Sequence, residues 1–159
     1  MGQQVSREIS ATPEEVWATV SDITRIGEWS TETFKCEWDE GQVPGLGATF
    51  AGHNRYGETE WVNQARIIEW VPNERIFWDV HLIGKTAEMF GSDAVTRWGF
   101  VIEPTGEGCR LVQVTEDMRP EGLKALGAKF LPEIADRVKR NYETMEATLT
   151  AIASVCEAE

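Results

Sequence analysis

The spacing of apolar residues changes character twice along the chain, from helical to alternating and back to helical. At the start, Val5 and Ile9 alternate with polar residues and predict a short strand, although Arg7 shares their face. Thr12-Pro13-Glu14-Glu15 then reads as a capping box: a Thr cap, a Pro at the first helical position and a Glu three residues after the cap. Val16, Trp17 and Val20 form the apolar face of the helix that follows. Asp22 ends it and is placed to cap a second, short helix carrying Ile23, Ile26 and Trp29.

From residue 33 to about 118 the period is two. Phe34, Cys36 and Trp38 alternate with Lys35, Glu37 and Asp39. The segments "GATFAGHNR" and "TEWVNQARIIEWV" flank Tyr56-Gly57-Glu58 as a hairpin would, and Pro72-Asn73-Glu74 turns the chain into "RIFWDVHLI". "TRWGFVIE", the turn "PTGEG" and "CRLVQVTEDM" complete a run of six to seven strands including the first. Short turns between them predict an antiparallel sheet. Beyond Met118 the pattern is helical, irregular at first and then clean. Ile134, Val138, Met145, Leu149, Ile152 and Cys156 make a single apolar stripe, which must lie against the sheet. Glu133 with Arg137 and Asp136 with Arg140 are expected to pair on the opposite, solvated side, and "RVKR" at 137–140 reads as part of that face.

Composition narrows the function classes. The 159 residues suit one domain, 1–159, and 15 Lys and Arg against 27 Asp and Glu leave a net charge of -12. That field repels phosphate backbones and anionic membranes, so no nucleic-acid partner is expected. No apolar run is long enough to span a bilayer, so no membrane insertion is expected either. Gly2 and Ser6 fit a loose myristoylation pattern, but the first strand accounts for the same residues. Three widely spaced cysteines with no CxxC fit buried or surface thiols in a reducing cytoplasm. No metal-ligand spacing and no phosphate-binding glycine loop occurs, so neither a metal nor another cofactor is expected. His53 and His81 fall on the parity opposite to the apolar residues and are expected to face solvent.

The order strand, two short helices, antiparallel strands and long last helix resembles the START-like or SRPBCC superfamily, in particular its bacterial polyketide cyclase/dehydrase-like branch. The residues that carry the likeness are Ala11-Thr12-Pro13-Glu14-Glu15-Val16-Trp17, Asp22, Trp29, Gly47, Phe50, "GHNRYG" at 52–57, Trp61, Pro72, Trp98 and "MEATL" at 145–149. The resemblance implies an α+β helix-grip fold, a curved sheet wrapped around the C-terminal helix with an apolar cavity between them. It also implies a small hydrophobic ligand, lipid- or polyketide-like, and in some members cyclisation or dehydration of a polyketide chain.

Strand parity nominates the cavity wall: Phe34; Phe50 with Asn54; Trp61 with Asn63; Trp78; Trp98 with Phe100; and Val114 with Glu116. Seven tryptophans are many for this length, and large aromatics with one polar N–H suit a ligand wall. Trp17 is expected in the core, and Trp29, by the resemblance, at the cavity entrance. Asn54 and Glu116 are the polar candidates, and a desolvated Glu116 would suit acid–base work. Phe90 in the 84–95 connection, and Leu126 and Phe130 before the last helix, are candidate gating residues. The sequence therefore predicts a binding protein for a small hydrophobic or aromatic molecule, monomeric or homodimeric. The alternatives are a cyclase/dehydrase using Glu116 or another pocket polar group as acid or base, and a partner-regulating module with an exposed apolar groove.

Overall fold

Alternation over the middle of the chain becomes a single curved sheet in a computed structural model, which describes residues 2–84, 87–88, 91, 93–119 and 137–158, the side chains of 137–139 excepted. Its strands are β1 (Gly2–Ile9), β2 (Thr33–Trp38), β3 (Thr49–Tyr56), β4 (Thr59–Val71), β5 (Arg75–His81), β6 (Ala94–Thr105) and β7 (Gly108–Asp117). They pair antiparallel throughout, in the order β1-β7-β6-β5-β4-β3-β2. Sequence neighbours thus pair directly from β2 to β7, as short turns require, and β1 closes onto β7.

Helix α1 (Pro13–Val20) starts where the cap signal places it. Thr12 Oγ1 accepts the Glu15 backbone N–H at 3.1 Å. Glu15 closes on the Thr12 hydroxyl, 3.2 Å from its Oε1. Asp22 Oδ1 accepts the Thr24 N–H and begins a single 3-10 turn, Ile23–Arg25, that runs straight into α2 (Ile26–Trp29). The C-terminal helix α3 (Arg137–Glu157) touches β1, β7, α1 and α2, and buries Met145, Thr148, Leu149, Ile152, Ala153 and Cys156. Met145, Leu149, Ile152 and Cys156 belong to the predicted stripe. Ile134 and the side chain of Val138 lie outside the described residues, as does Asp136.

Register fixes which residues share the face that α3 covers. Val5, Gln113, Phe100, Ile76 and Trp70 form one cross-strand row, and Gln3, Thr115, Trp98, Trp78 and Ile67 the next. Farther along come Thr96, Val80, Ala65 and Phe50, then Asn63, Gly52 and Cys36, then Trp61 and Asn54. Trp17 is half-buried and meets Trp70 edge-on, ring centroids 5.1 Å apart, which seats α1 on this face.

Two sequence expectations fail here, for separate reasons. The β2–β3 register slips between Thr33 and Lys35, and Phe34 lands on the outer face, 44% exposed, beside His53 and beneath Arg55. On β7 the inward set is Cys109, Leu111, Gln113 and Thr115, so Val114 and Glu116 face outward. The outer surface of β6 and β7 is itself partly apolar, with Val112 opposite Val101 and Val114 opposite Gly99, where Phe77 closes in. Apolar alternation on β7 therefore marks the wrong face.

Candidate functional site

The concave face between sheet and α3 is where aromatic surface gathers. Neighbouring rings run Trp38–Phe50–Trp78–Phe100–Trp29, with centroid separations of 5.6, 5.9, 6.2 and 5.7 Å and steep or tilted planes. Edge-to-face contacts of this kind add about 0.5–1.5 kcal/mol each beyond burial. Phe100 and Phe50 are sealed within the core. Trp61 and Trp98 are half-buried on the same face, Trp98 across from Trp78 and Thr115, Trp61 across from Asn54. Between these large rings the floor is made of small side chains: Val80, Thr96, Ala65, Gly52 and Cys36. A Cβ on Gly52 would meet only Cys36 Sγ at 3.7 Å and Thr33 Cγ2 at 3.9 Å, so the sheet surface is low here.

Polar groups on this face divide into engaged and unengaged. Asn54 is buried, but its Oδ1 accepts the Thr33 hydroxyl at 2.6 Å and its Nδ2 donates to the Gly52 carbonyl at 3.2 Å. Its amide is committed to the strand pairing. Asn63 is half-buried opposite Gly52. Gln113 Oε1, Thr115 Oγ1 and Trp29 Nε1 are buried with no hydrogen-bond partner. A buried polar group left unpaired costs about 1–3 kcal/mol, so such atoms mark places where another molecule would be welcome. Gln113 and Thr115 lie in adjacent rows directly across from Phe100 and Trp98, and Trp29 packs on Phe100.

Trp29 itself is 4% exposed, deeper than an entrance residue. Gly27 lets α2 come that close: a Cβ there would stand 2.4 Å from the Phe34 carbonyl oxygen of β2.

At the hairpin end of the face, Tyr56 carries the Arg140 guanidinium over its ring, with Cζ 3.4 Å from the centroid. Arg140 Nη2 reaches Glu32 Oε2 at 3.3 Å, and Nη1 is buried without an acceptor. The expected solvated position of Arg140 is thus corrected: its side chain is 13% exposed and turned onto the sheet. Next to it, Asn141 Nδ2 donates to Gln3 Oε1 at 3.2 Å, so adjacent residues of α3 reach strands β3 and β1 on opposite sides of the curve.

Glu116 sits on the outer face opposite Arg97, whose guanidinium forks onto Asp79 at 2.7 and 3.1 Å. Those hydrogen bonds raise the Arg97 pKa against the opposing effect of burial, and the charges of Asp79, Glu116 and Glu69 add to them. The carboxylate that the register puts on the inner face is Asp117, opposite Thr96, and it is bound by Arg119 through Nε at 2.9 Å and Nη2 at 2.8 Å. Burial pushes the Cys36 thiol up to about 12. Cys36 is therefore expected to resist alkylation by iodoacetamide at pH 8 in the folded protein and to react on unfolding. Rapid labelling of the native state at Cys36, read by peptide mass spectrometry, would contradict its placement. His53 lies on the outer face with Nε2 3.3 Å from Glu37 Oε1. Phe90, Leu126 and Phe130 lie outside the described residues. Among those described, no helix is long and apolar enough to cross a membrane.

The residues that sequence reasoning missed are Gln113, Thr115, Tyr56 and Arg140. Only Tyr56 carried a signal, its parity with Phe50, Gly52 and Asn54.

The comparisons with known proteins agree with this architecture. The family described as "Polyketide cyclase / dehydrase and lipid transport" matches residues 3–157. A polyketide-cyclase-like protein of Corynebacterium glutamicum, solved by NMR, is 32% identical over 98% of this chain and 91% of its own, with a TM-score of 0.62. A protein of Nitrosomonas europaea shares the fold at 16% identity and TM-score 0.68, over 99% of this chain and 95% of its own. A di-domain ARO/CYC protein from the steffimycin biosynthetic pathway does so at 13% identity and TM-score 0.72, over 99% of this chain and 50% of its own. Among curated proteins, none matches. With the family matched over nearly its whole length and the helix-grip architecture in place, the chain belongs to the polyketide cyclase/dehydrase and lipid transport family.

Proposed function

We propose that the protein binds a small hydrophobic, hydroxylated aromatic molecule on the concave face, beneath α3. The observation that carries this reading is the set of buried, unpartnered atoms of Gln113, Thr115 and Trp29 beside an aromatic band. Apolar rings supply area, and a few unpaired donors and acceptors supply orientation, the usual division of labour in ligand pockets. Gln113 Oε1 calls for a donor such as a ligand hydroxyl, and the indole N–H of Trp29 calls for an acceptor.

A cyclase or dehydrase reading needs an acid or base facing the ligand. Glu116 faces outward and Asp117 is ion-paired with Arg119, so binding is the reading these groups favour.

Calorimetric titration with 2-naphthol and with naphthalene tests the proposal. Gln113→Leu is expected to weaken 2-naphthol about ten-fold, the worth of one buried hydrogen bond, and to leave naphthalene unchanged. The same variant should unfold at equal or higher urea, because it removes an unpaired polar atom. Glu116→Gln should leave both affinities unchanged. Failure of both compounds to bind the wild-type protein, or equal binding of 2-naphthol by Gln113→Leu, would refute the reading.

A further inference from the structure

Arg140 is an arginine placed like a binding group. It stands on α3 over the hairpin end of the concave face, where Tyr56 shares its parity with Asn54, Gly52 and Phe50. Tyr56 holds the guanidinium from below and Glu32 holds one edge, at 3.3 Å from Nη2. Ring and carboxylate together fix the position of the fork, and its Nη1 remains buried without an acceptor. A buried N–H on a charged group is among the most unfavourable donors to leave unmade. An acceptor brought by a bound molecule would satisfy it without moving the protein.

The charge around the fork selects the kind of acceptor. Glu32 already pairs with the guanidinium, and the whole chain carries -12. A ligand carboxylate would therefore enter beside an existing carboxylate, and like charges held close in a poorly solvated place repel strongly. A ketone, quinone or ester oxygen brings a lone pair and no charge, and loses less hydration on entering. A charge-assisted hydrogen bond from arginine to such an oxygen is stronger than one between neutral groups.

Resting on the reading of the concave face as a ligand site, we propose that Arg140 Nη1 anchors a neutral carbonyl oxygen of the bound molecule. Tyr56 and Glu32 are positioning residues that hold the fork ready. The ligand is thus an aromatic body with a carbonyl at the hairpin end, and a free acid is disfavoured.

Three compounds that share one ring system separate the possibilities by calorimetry: 2-acetylnaphthalene, 2-ethylnaphthalene and 2-naphthoate. The wild-type protein is expected to bind the ketone at least about ten-fold more tightly than the hydrocarbon, and more tightly than the carboxylate. Arg140→Met should abolish the preference for the ketone over 2-ethylnaphthalene. Arg140→Lys keeps a charge near Glu32 but loses the second arm of the fork, so it should also lose most of the preference. Circular dichroism on both variants reports whether the helix persists. Should Arg140→Met unfold, the wild-type comparison of ketone with hydrocarbon still decides the matter. Equal binding of those two compounds overturns the anchor while leaving the ligand face intact. Tighter binding of 2-naphthoate overturns the choice of a neutral oxygen. Absence of binding by all three removes the ligand face and the anchor with it.

Discussion

Phe100→Ala is expected to lower stability by about 3–5 kcal/mol, the range for emptying a fully buried phenylalanine site. Phe100 is 0% exposed, sits in the centre of β6, and is the ring on which Trp29 and Trp78 both rest, at 5.7 and 6.2 Å. Removing it deletes its own burial and two aromatic contacts, and leaves a space that neighbouring strands cannot close without losing register. The urea midpoint should fall with little change in slope. Phe34→Ala is the matched control: the same chemistry at an exposed outer position, where a change within about 0.5 kcal/mol is expected. A loss below about 1.5 kcal/mol at Phe100 would mean that the ring borders yielding space and not a packed core.

Gly27→Ala should be nearly as damaging, by about 1–3 kcal/mol, for the opposite reason of overpacking. The added methyl would sit 2.4 Å from the Phe34 carbonyl oxygen and 3.0 Å from its carbon. Both are backbone atoms and cannot swing aside, so α2 must lift from β2 and carry Trp29 with it. Weaker binding of 2-naphthol should accompany the loss of stability. Gly52→Ala, on β3 and across from Cys36, makes the contrast, because its methyl meets side-chain atoms at ordinary van der Waals distance. That variant should be neutral or gain up to about 1 kcal/mol from reduced backbone freedom in a strand. Equal urea midpoints for wild type and Gly27→Ala would show that α2 is not seated as described.

The elements were legible in the sequence because each rests on local physics. The Thr12 cap, the Asp22 boundary and the alternation of β3, β5 and β6 need no distant information. The faces were legible only where one side of a strand is polar. On β7, Val112 and Val114 pack outward against Val101 and the backbone at Gly99, and Gln113 and Thr115 turn inward. Parity then gives the reverse of the truth, and Glu116 is misplaced with it. Phe34 fails through a one-residue slip that its own sequence does not announce. Trp29 is expected at the cavity entrance, and the structure instead buries it, with its ring on Phe100 and its N–H unpaired. Arg140 was illegible because its partners, Glu32 and Tyr56, lie far upstream, whereas Asp136 stands four residues away.

The pairing of the first strand with the last has a consequence for biosynthesis. Ile9 pairs with Cys109 and Gly2 with Glu116, so β1 has no partner until β7 has been made. At about 5–20 residues per second, the growing chain must hold β1 unpaired for roughly 5–20 s. Gln4, Ser6, Arg7 and Glu8 make that waiting segment hydrophilic. Such a segment is poorly suited to sticking to other nascent chains, so the composition of β1 serves the protein before its fold exists.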